Sequence, residues 1–241
     1  MTMRRAGAAA IAVACGSAGA CLYLAATLGT PGGLVLVYMT QLPLFIAGLW
    51  LGTGAAALAG MTATLVLLAA SDLLGAAVFA AVNAVPVVLI VRQALQARSA
   101  SDGTVVWYPP GLLTAWLAAF ALSGIAAALL LLGGPEGLQA TLRSVVAEVL
   151  DRLVRHPVAD RDQAAELIAM VIPGMIAASW MIMLVANAAL AQGLLARFGA
   201  NWRPSPDLAG LDLPLWVPVV LGLAAAAVCL AGRCGLSAST C

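Results

Sequence analysis

The stretch Leu73–Arg98, LLGAAVFAAVNAVPVVLIVRQALQAR, constrains this chain more than any other. Its first part, Leu73–Val91, is an apolar run of a length that crosses a bilayer, which takes about 20 residues. Asn83 is its one polar interruption, and Pro86 follows three residues later. Arg92 and Arg98 close it. In lipid, backbone N–H and C=O groups must be paired inside the protein, which leaves helices or a closed barrel. The run is rich in Ala, Val and Leu and does not alternate, so it reads as a helix. This one stretch therefore sets the solvent, the secondary structure, an interior polar contact, a kink and an orientation mark.

The rest of the chain repeats the pattern. Of 241 residues, 63% are hydrophobic and only 9% are charged, with a mean hydropathy of +1.06. A soluble domain carries roughly 25% charged residues, and its interior has no room for this much apolar side chain. The expected fold is an all-α integral membrane protein, one transmembrane domain over residues 1–241. Its spans are about Ala6–Leu28, Leu34–Leu51, Ala55–Ala70, Leu73–Val91, Leu112–Leu132, Ala164–Phe198 and Pro214–Ala231. The count is six to seven, because the first run follows Arg4-Arg5 and has some signal-peptide character. Its apolar residues continue past Ala18-Gly19-Ala20-Cys21, which favours an uncleaved first helix.

The segments between and within these spans carry finer marks. In the second span Pro43 removes a backbone donor and should kink or break the helix there. Gly29–Gly33 reads as a turn, and Gly133–Gly137 resembles it. Asp72 is placed to cap the fourth helix. Gln96–Gly111 reads as a polar surface loop with Trp107 and Tyr108 as interfacial anchors. Residues Leu138–Leu153 differ from the rest. Leu138, Leu142, Val145, Val146, Val149 and Leu153 recur at steps of three and four, with Arg143, Ser144, Glu148 and Asp151 opposite. That is an amphipathic helix on a surface. His156, the single histidine, follows at its C-terminus, where a capping role outweighs catalysis.

Net charge is +1 and gives no reason to expect nucleic acid as a partner. All eleven basic residues are Arg. Arg4, Arg5, Arg92, Arg98, Arg197 and Arg203 fall on one side of the membrane in this count of spans. The other side carries five, but most of the six directly flank spans, which favours an N-terminus in the cytoplasm. The five cysteines form no C-x-x-C pair and indicate neither a disulfide framework nor a metal site. The span centres hold no ionisable residue of the kind that marks proton or ion paths. Motifs for zinc hydrolysis, phosphate binding and serine hydrolysis are absent. The residues therefore argue against an enzyme, with no catalytic residue and no cofactor to name.

What remains for chemistry is uncharged. Gln41, Asn83 and Asn187 are interior amides, and Tyr38, Trp180, Thr62, Thr64 and Ser179 accompany them. Each alone serves equally as an interhelical hydrogen bond, worth about 0.6–2 kcal/mol in membranes. As a set beside Pro43 and Pro86 they suit a pocket for a small uncharged or zwitterionic molecule, since discontinuous helices build transporter sites near the midplane. Tyr38, Gln41, Asn83, Trp180 and Asn187 are the candidate substrate-binding residues. On the first helix Ala10, Ala14 and Ala18 form a stripe at spacing four, beside Ala8, Ala12, Gly16 and Ala20. Such spacing lets another helix approach closely.

The order of segments resembles a known family. A small-residue first helix precedes the Pro-broken LVLVYMTQLPLFIAGLWLG, then a tight third helix and a fourth ending VPVVLIVRQAL. Later come ASWMIMLVANAALAQGLLARFG and LPLWVPVVLG. This resembles the YybS-like bacterial membrane proteins, a family of unknown function that is distantly similar to the substrate-binding S components of energy-coupling-factor transporters. The resemblance spans roughly Ala6–Ala231. It implies partners of the energy-coupling-factor type, a transmembrane subunit and ATPase subunits, with Ala10, Ala14 and Ala18 as the packing stripe. Two departures stand against it. S components usually have six helices. YybS-like proteins usually continue into further hydrophobic helices, whereas this chain reads as a shortened member ending in a Cys-bearing tail. The alternative function is a non-transporting scaffold that binds another membrane protein through the small-residue helix and the 138–153 helix.

Overall fold

The computed structural model describes residues 2–99, 101, 103–132, 143–146, 148 and 161–204. Helix α1 (Thr2–Leu24) continues into a 3-10 turn, Ala25–Leu28. The Thr30 hydroxyl then accepts from the Gly33 N–H at 3.1 Å, and Pro31 takes the first position of α2 (Pro31–Tyr38). Proline is tolerated there because the first helical N–H has no intrahelical partner anyway. The expected turn at Gly29–Gly33 is therefore shorter, and the second span starts at Pro31 rather than Leu34.

That span is broken, one turn before the proline that causes the break. Met39 and Thr40 form a turn, and α3 (Gln41–Leu51) resumes with Pro43 as its third residue. A proline ring clashes with the carbonyl four residues back, which here belongs to Met39. Pro43 itself sits in a first turn, where no intrahelical donor is required. Gly52, at φ 98°, then turns the chain directly into α4 (Thr53–Ala70). A side chain would be strained in that conformation.

The fourth span is continuous but irregular. The Asp72 carboxylate accepts from the Gly75 N–H at 2.6 Å and caps α5 (Leu73–Phe79). A π-helical turn, Ala80–Ala84, follows before α6 (Val85–Ala94), with Pro86 near its start. The kink expected at Pro86 is thus absorbed as a π turn upstream of it, and the span ends at Ala94 rather than Val91. The expected polar loop contains a short hairpin. β1 (Ala97–Ser99) pairs antiparallel with β2 (Val105–Trp107), Ala97 opposite Trp107. Val105, Val106 and Trp107 are of the β-branched and aromatic types that favour strands. Helix α7 (Pro110–Leu132) starts two residues before the expected Leu112, on Pro110. Helix α8 (Arg161–Arg197) runs through Pro173.

Among the described residues, six helical segments are long and apolar enough to cross a membrane: Ala6–Leu24, Pro31–Leu51, Thr53–Ala70, Leu73–Ala94, Pro110–Ala127 and Val171–Arg197. Their outer surface is apolar, with Leu34, Leu65, Leu73 and Ile182 exposed. The chain is therefore built as a multi-pass helical membrane protein. The expected span 214–231, His156 and Cys229, Cys234 and Cys241 lie outside the described residues. Of 138–153, residues 143–146 and 148 are described and helical. Val146 is buried, but Val145, which the periodicity groups with it, is exposed.

The core is built of small residues at one seam and larger ones beside it. Ala12, Gly16 and Ala20 of α1 are buried, as are Ala56, Ala59 and Ala63 of α4, and these two helices pack more extensively than any other pair. A Cβ on Gly16 would collide with the Ala59 carbonyl oxygen and lie 2.8 Å from the Thr62 Cβ. The backbones approach closely because nothing stands between them. Phe45 and Leu44 of α3, Phe79, and Leu184 of α8 fill the adjoining volume. The Tyr23 ring meets the Phe79 ring edge-on at 5.0 Å.

Candidate functional site

Each interruption of the spans frees polar groups, and the candidate residues gather where those groups are. A helix leaves its last carbonyls without intrahelical donors. At the end of α2, the Tyr38 carbonyl accepts from the Asn187 side-chain amide at 2.7 Å. The same amide donates to the Met183 carbonyl of its own helix at 2.8 Å. The Tyr38 hydroxyl meets Ser179 Oγ at 2.7 Å. Ser179 and Asn187 thus hold Tyr38 from two points along α8.

The second interruption is held in the same way. Pro86 has no N–H, so the carbonyl four residues back, at Val82, lacks its α-helical donor. The Trp180 indole N–H donates to that oxygen at 3.0 Å. Asn83, next in the π turn, is buried, and its Oδ1 accepts from Gln41 Nε2 at 3.0 Å. Gln41 opens α3 immediately after the Met39-Thr40 turn. The five candidates thus enter three separate sets of hydrogen bonds among α2, α3, the π turn and α8: Tyr38 with Ser179 and Asn187, Trp180 with the Val82 carbonyl, and Gln41 with Asn83.

Three oxygens on these segments are unused. Thr40 Oγ1, Gln41 Oε1 and Asn187 Oδ1 are buried and find no hydrogen-bond partner among the described residues. Leaving a buried polar atom unpaired costs about 1–3 kcal/mol. The group contains no carboxylate and no cation, so its recognition chemistry is that of neutral acceptors and one hydroxyl. Thr40 carries one of the three oxygens and Ser179 one of the contacts, and neither stands among the five candidates. The signal for both was adjacency: Thr40 precedes Gln41, and Ser179 precedes Trp180.

The other uncharged residues named from the sequence stand apart. Thr62 donates to the Leu58 carbonyl and Thr64 to the Gly60 carbonyl, each at 2.8 Å and each within α4. They satisfy themselves and join no network. Ala10, Ala14 and Ala18 are exposed, on the face of α1 nearly opposite the one that packs against α4, since residues two apart in a helix point to opposite sides. Among the described residues no three His, Cys, Asp or Glu side chains gather into a possible metal site. No protein-family model matches the chain. No curated protein and no solved structure matches it either.

Proposed function

We propose that this chain is a seven-span inner-membrane protein, N-terminus in the cytoplasm, that binds a small uncharged or zwitterionic solute as a transporter-like subunit. The observation that carries the reading is the trio of buried, unpartnered oxygens at Thr40, Gln41 and Asn187, set beside a broken span and a π turn. A solute with N–H or O–H donors would satisfy them and recover their desolvation cost. Discontinuous helices of this kind frame solute sites in transporters. The resemblance to YybS-like proteins and S components supports the same reading, with a transmembrane subunit and ATPase subunits as partners.

Thermal stability of the purified protein against a panel of vitamins and metabolites tests it. One class of compound should raise the melting temperature, and Thr40→Val should remove that rise without lowering the stability of the unliganded protein. A panel without any stabilising member would overturn it. A second reading, a non-transporting scaffold, is supported by the exposure of Ala10, Ala14 and Ala18 while the opposite face of α1 is used internally. Under it, Ala14→Leu abolishes capture of a partner membrane protein by folded protein, and unchanged capture counts against it.

A further inference from the structure

A second polar feature lies away from the amide contacts, at the end of the molecule where α6, the hairpin, α7 and α8 meet. Arg203 is only 7% exposed. Its guanidinium donates to the Ala94 carbonyl at 3.2 Å and to the Tyr108 carbonyl at 2.9 Å. A guanidinium has five N–H donors, and among the described residues no carboxylate pairs with it. Its backbone is fixed as well, since the Arg203 carbonyl accepts from Gln192 Nε2 at 2.6 Å and from Asn201 Nδ2 at 3.0 Å. Burial pulls the guanidinium below its usual range, but an arginine remains charged in proteins. A buried cation answered only by carbonyl dipoles lacks its counter-charge.

Arg203 lines a cavity of about 300 Å³ between α3, α6, α7 and α8. Phe45, Leu49, Leu117, Leu184 and Ala188 form much of the wall, and Gln192 and Arg203 are its strongly polar members. This volume is at the lower end of ligand pockets, roughly 300–1,000 Å³, and suits one narrow apolar body. The surroundings mark a membrane interface. Arg92, Arg98 and Arg197 are exposed at the same helix ends. Trp202 is exposed nearby, and the Trp116 indole N–H donates to the Tyr108 hydroxyl at 3.1 Å. Aromatic and basic residues concentrate at this level of a bilayer. Among the described residues, the acids Asp72 and Glu166 belong to the opposite ends of their spans.

From these observations we infer that this cavity takes an acyl chain of an anionic phospholipid, with Arg203 binding the headgroup phosphate. The apolar wall alone would accept any lipid tail, and the arginine alone would accept any anion. An anionic phospholipid satisfies both, and the exposed arginines add a field that favours it over a zwitterionic lipid.

The test uses the full-length protein in detergent with phosphatidylglycerol or phosphatidylcholine of identical acyl chains. Lipid retention is read by native mass spectrometry and stability by thermal melting. Phosphatidylglycerol should be retained and should raise the melting temperature, and phosphatidylcholine should do so weakly. Arg203→Gln should reduce the preference about tenfold or more, the effect of losing one charge-assisted hydrogen bond. Ala188→Phe fills the cavity without touching the charge and should lower retention as well, so the idea is testable even if Arg203→Gln fails to fold. Equal retention of the two lipids, or phosphatidylglycerol retention unchanged in Ala188→Phe, overturns it. Inorganic phosphate stabilising as well as phosphatidylglycerol removes the acyl-chain half and overturns it too.

Discussion

The seam between α1 and α4 and the seam where α8, α2, α3 and the π turn meet solve the same problem by opposite means. Lipid tails are as apolar as leucine, so helices in a bilayer gain little from hydrophobic burial against each other. At the first seam, Gly16 and its alanine neighbours remove side chains until the backbone of α1 touches the Ala59 carbonyl. No polar side chain is needed. At the second seam, Asn187 and Trp180 of α8 reach across to the Tyr38 and Val82 carbonyls freed by the helix breaks, and Gln41 of α3 donates to the Asn83 amide of the π turn. The dry seam spends all its groups on itself. The polar seam retains three oxygens without partners. Stability and recognition are thereby assigned to different parts of one small bundle.

Substitutions separate the two seams in order of size. Gly16→Leu should be the most damaging, since overpacking costs 1–3 kcal/mol and more when backbone is in the way. Loss of folded protein in detergent melting curves is the expected outcome, and a mild change would mean that the seam is not closely packed. Asn187→Leu should cost about 1–2 kcal/mol, because the part-buried Tyr38 carbonyl loses its donor. A cost near zero in detergent-titration unfolding would mean that water replaces the amide. A double-mutant cycle of Gln41→Leu and Asn83→Leu should return a coupling of about 0.6 kcal/mol, with about 1.7 as the ceiling seen for membrane hydrogen bonds. Additive single effects would show that the two amides act separately. Ala14→Leu should change stability by less than about 0.5 kcal/mol, as exposed sites usually do. A larger destabilisation would place that row inside the bundle.

Most of the span pattern is legible in the sequence because lipid imposes a coarse rule: length and apolarity decide. The departures are local. Pro43 is visible, but the break it causes lies at the carbonyl four residues earlier. The π turn at Ala80–Ala84 has no marker of its own, since Pro86 is compatible with several irregular turns. The hairpin was hidden by its brevity, three residues per strand between polar neighbours. The candidate residues converge because interior amides in lipid must meet something. Their partners, however, are mostly carbonyls, which carry no sequence signal. Arg203 illustrates the limit most clearly. As a sequence position it is one more basic residue beside a span. Its burial depends on carbonyls at Ala94 and Tyr108, about a hundred positions upstream.

The contacts of α8 also set an order of events during synthesis. Ser179 and Asn187 lie 141 and 149 positions after Tyr38, and Trp180 lies 98 after Val82. α1 and α4 are complete long before any of these residues leaves the ribosome, so the dry seam can close early. The broken second span and the proline-disturbed fourth have no such advantage. They enter the bilayer with carbonyls that only a helix not yet translated will engage, so α8 acts as a late fastener on segments already in place.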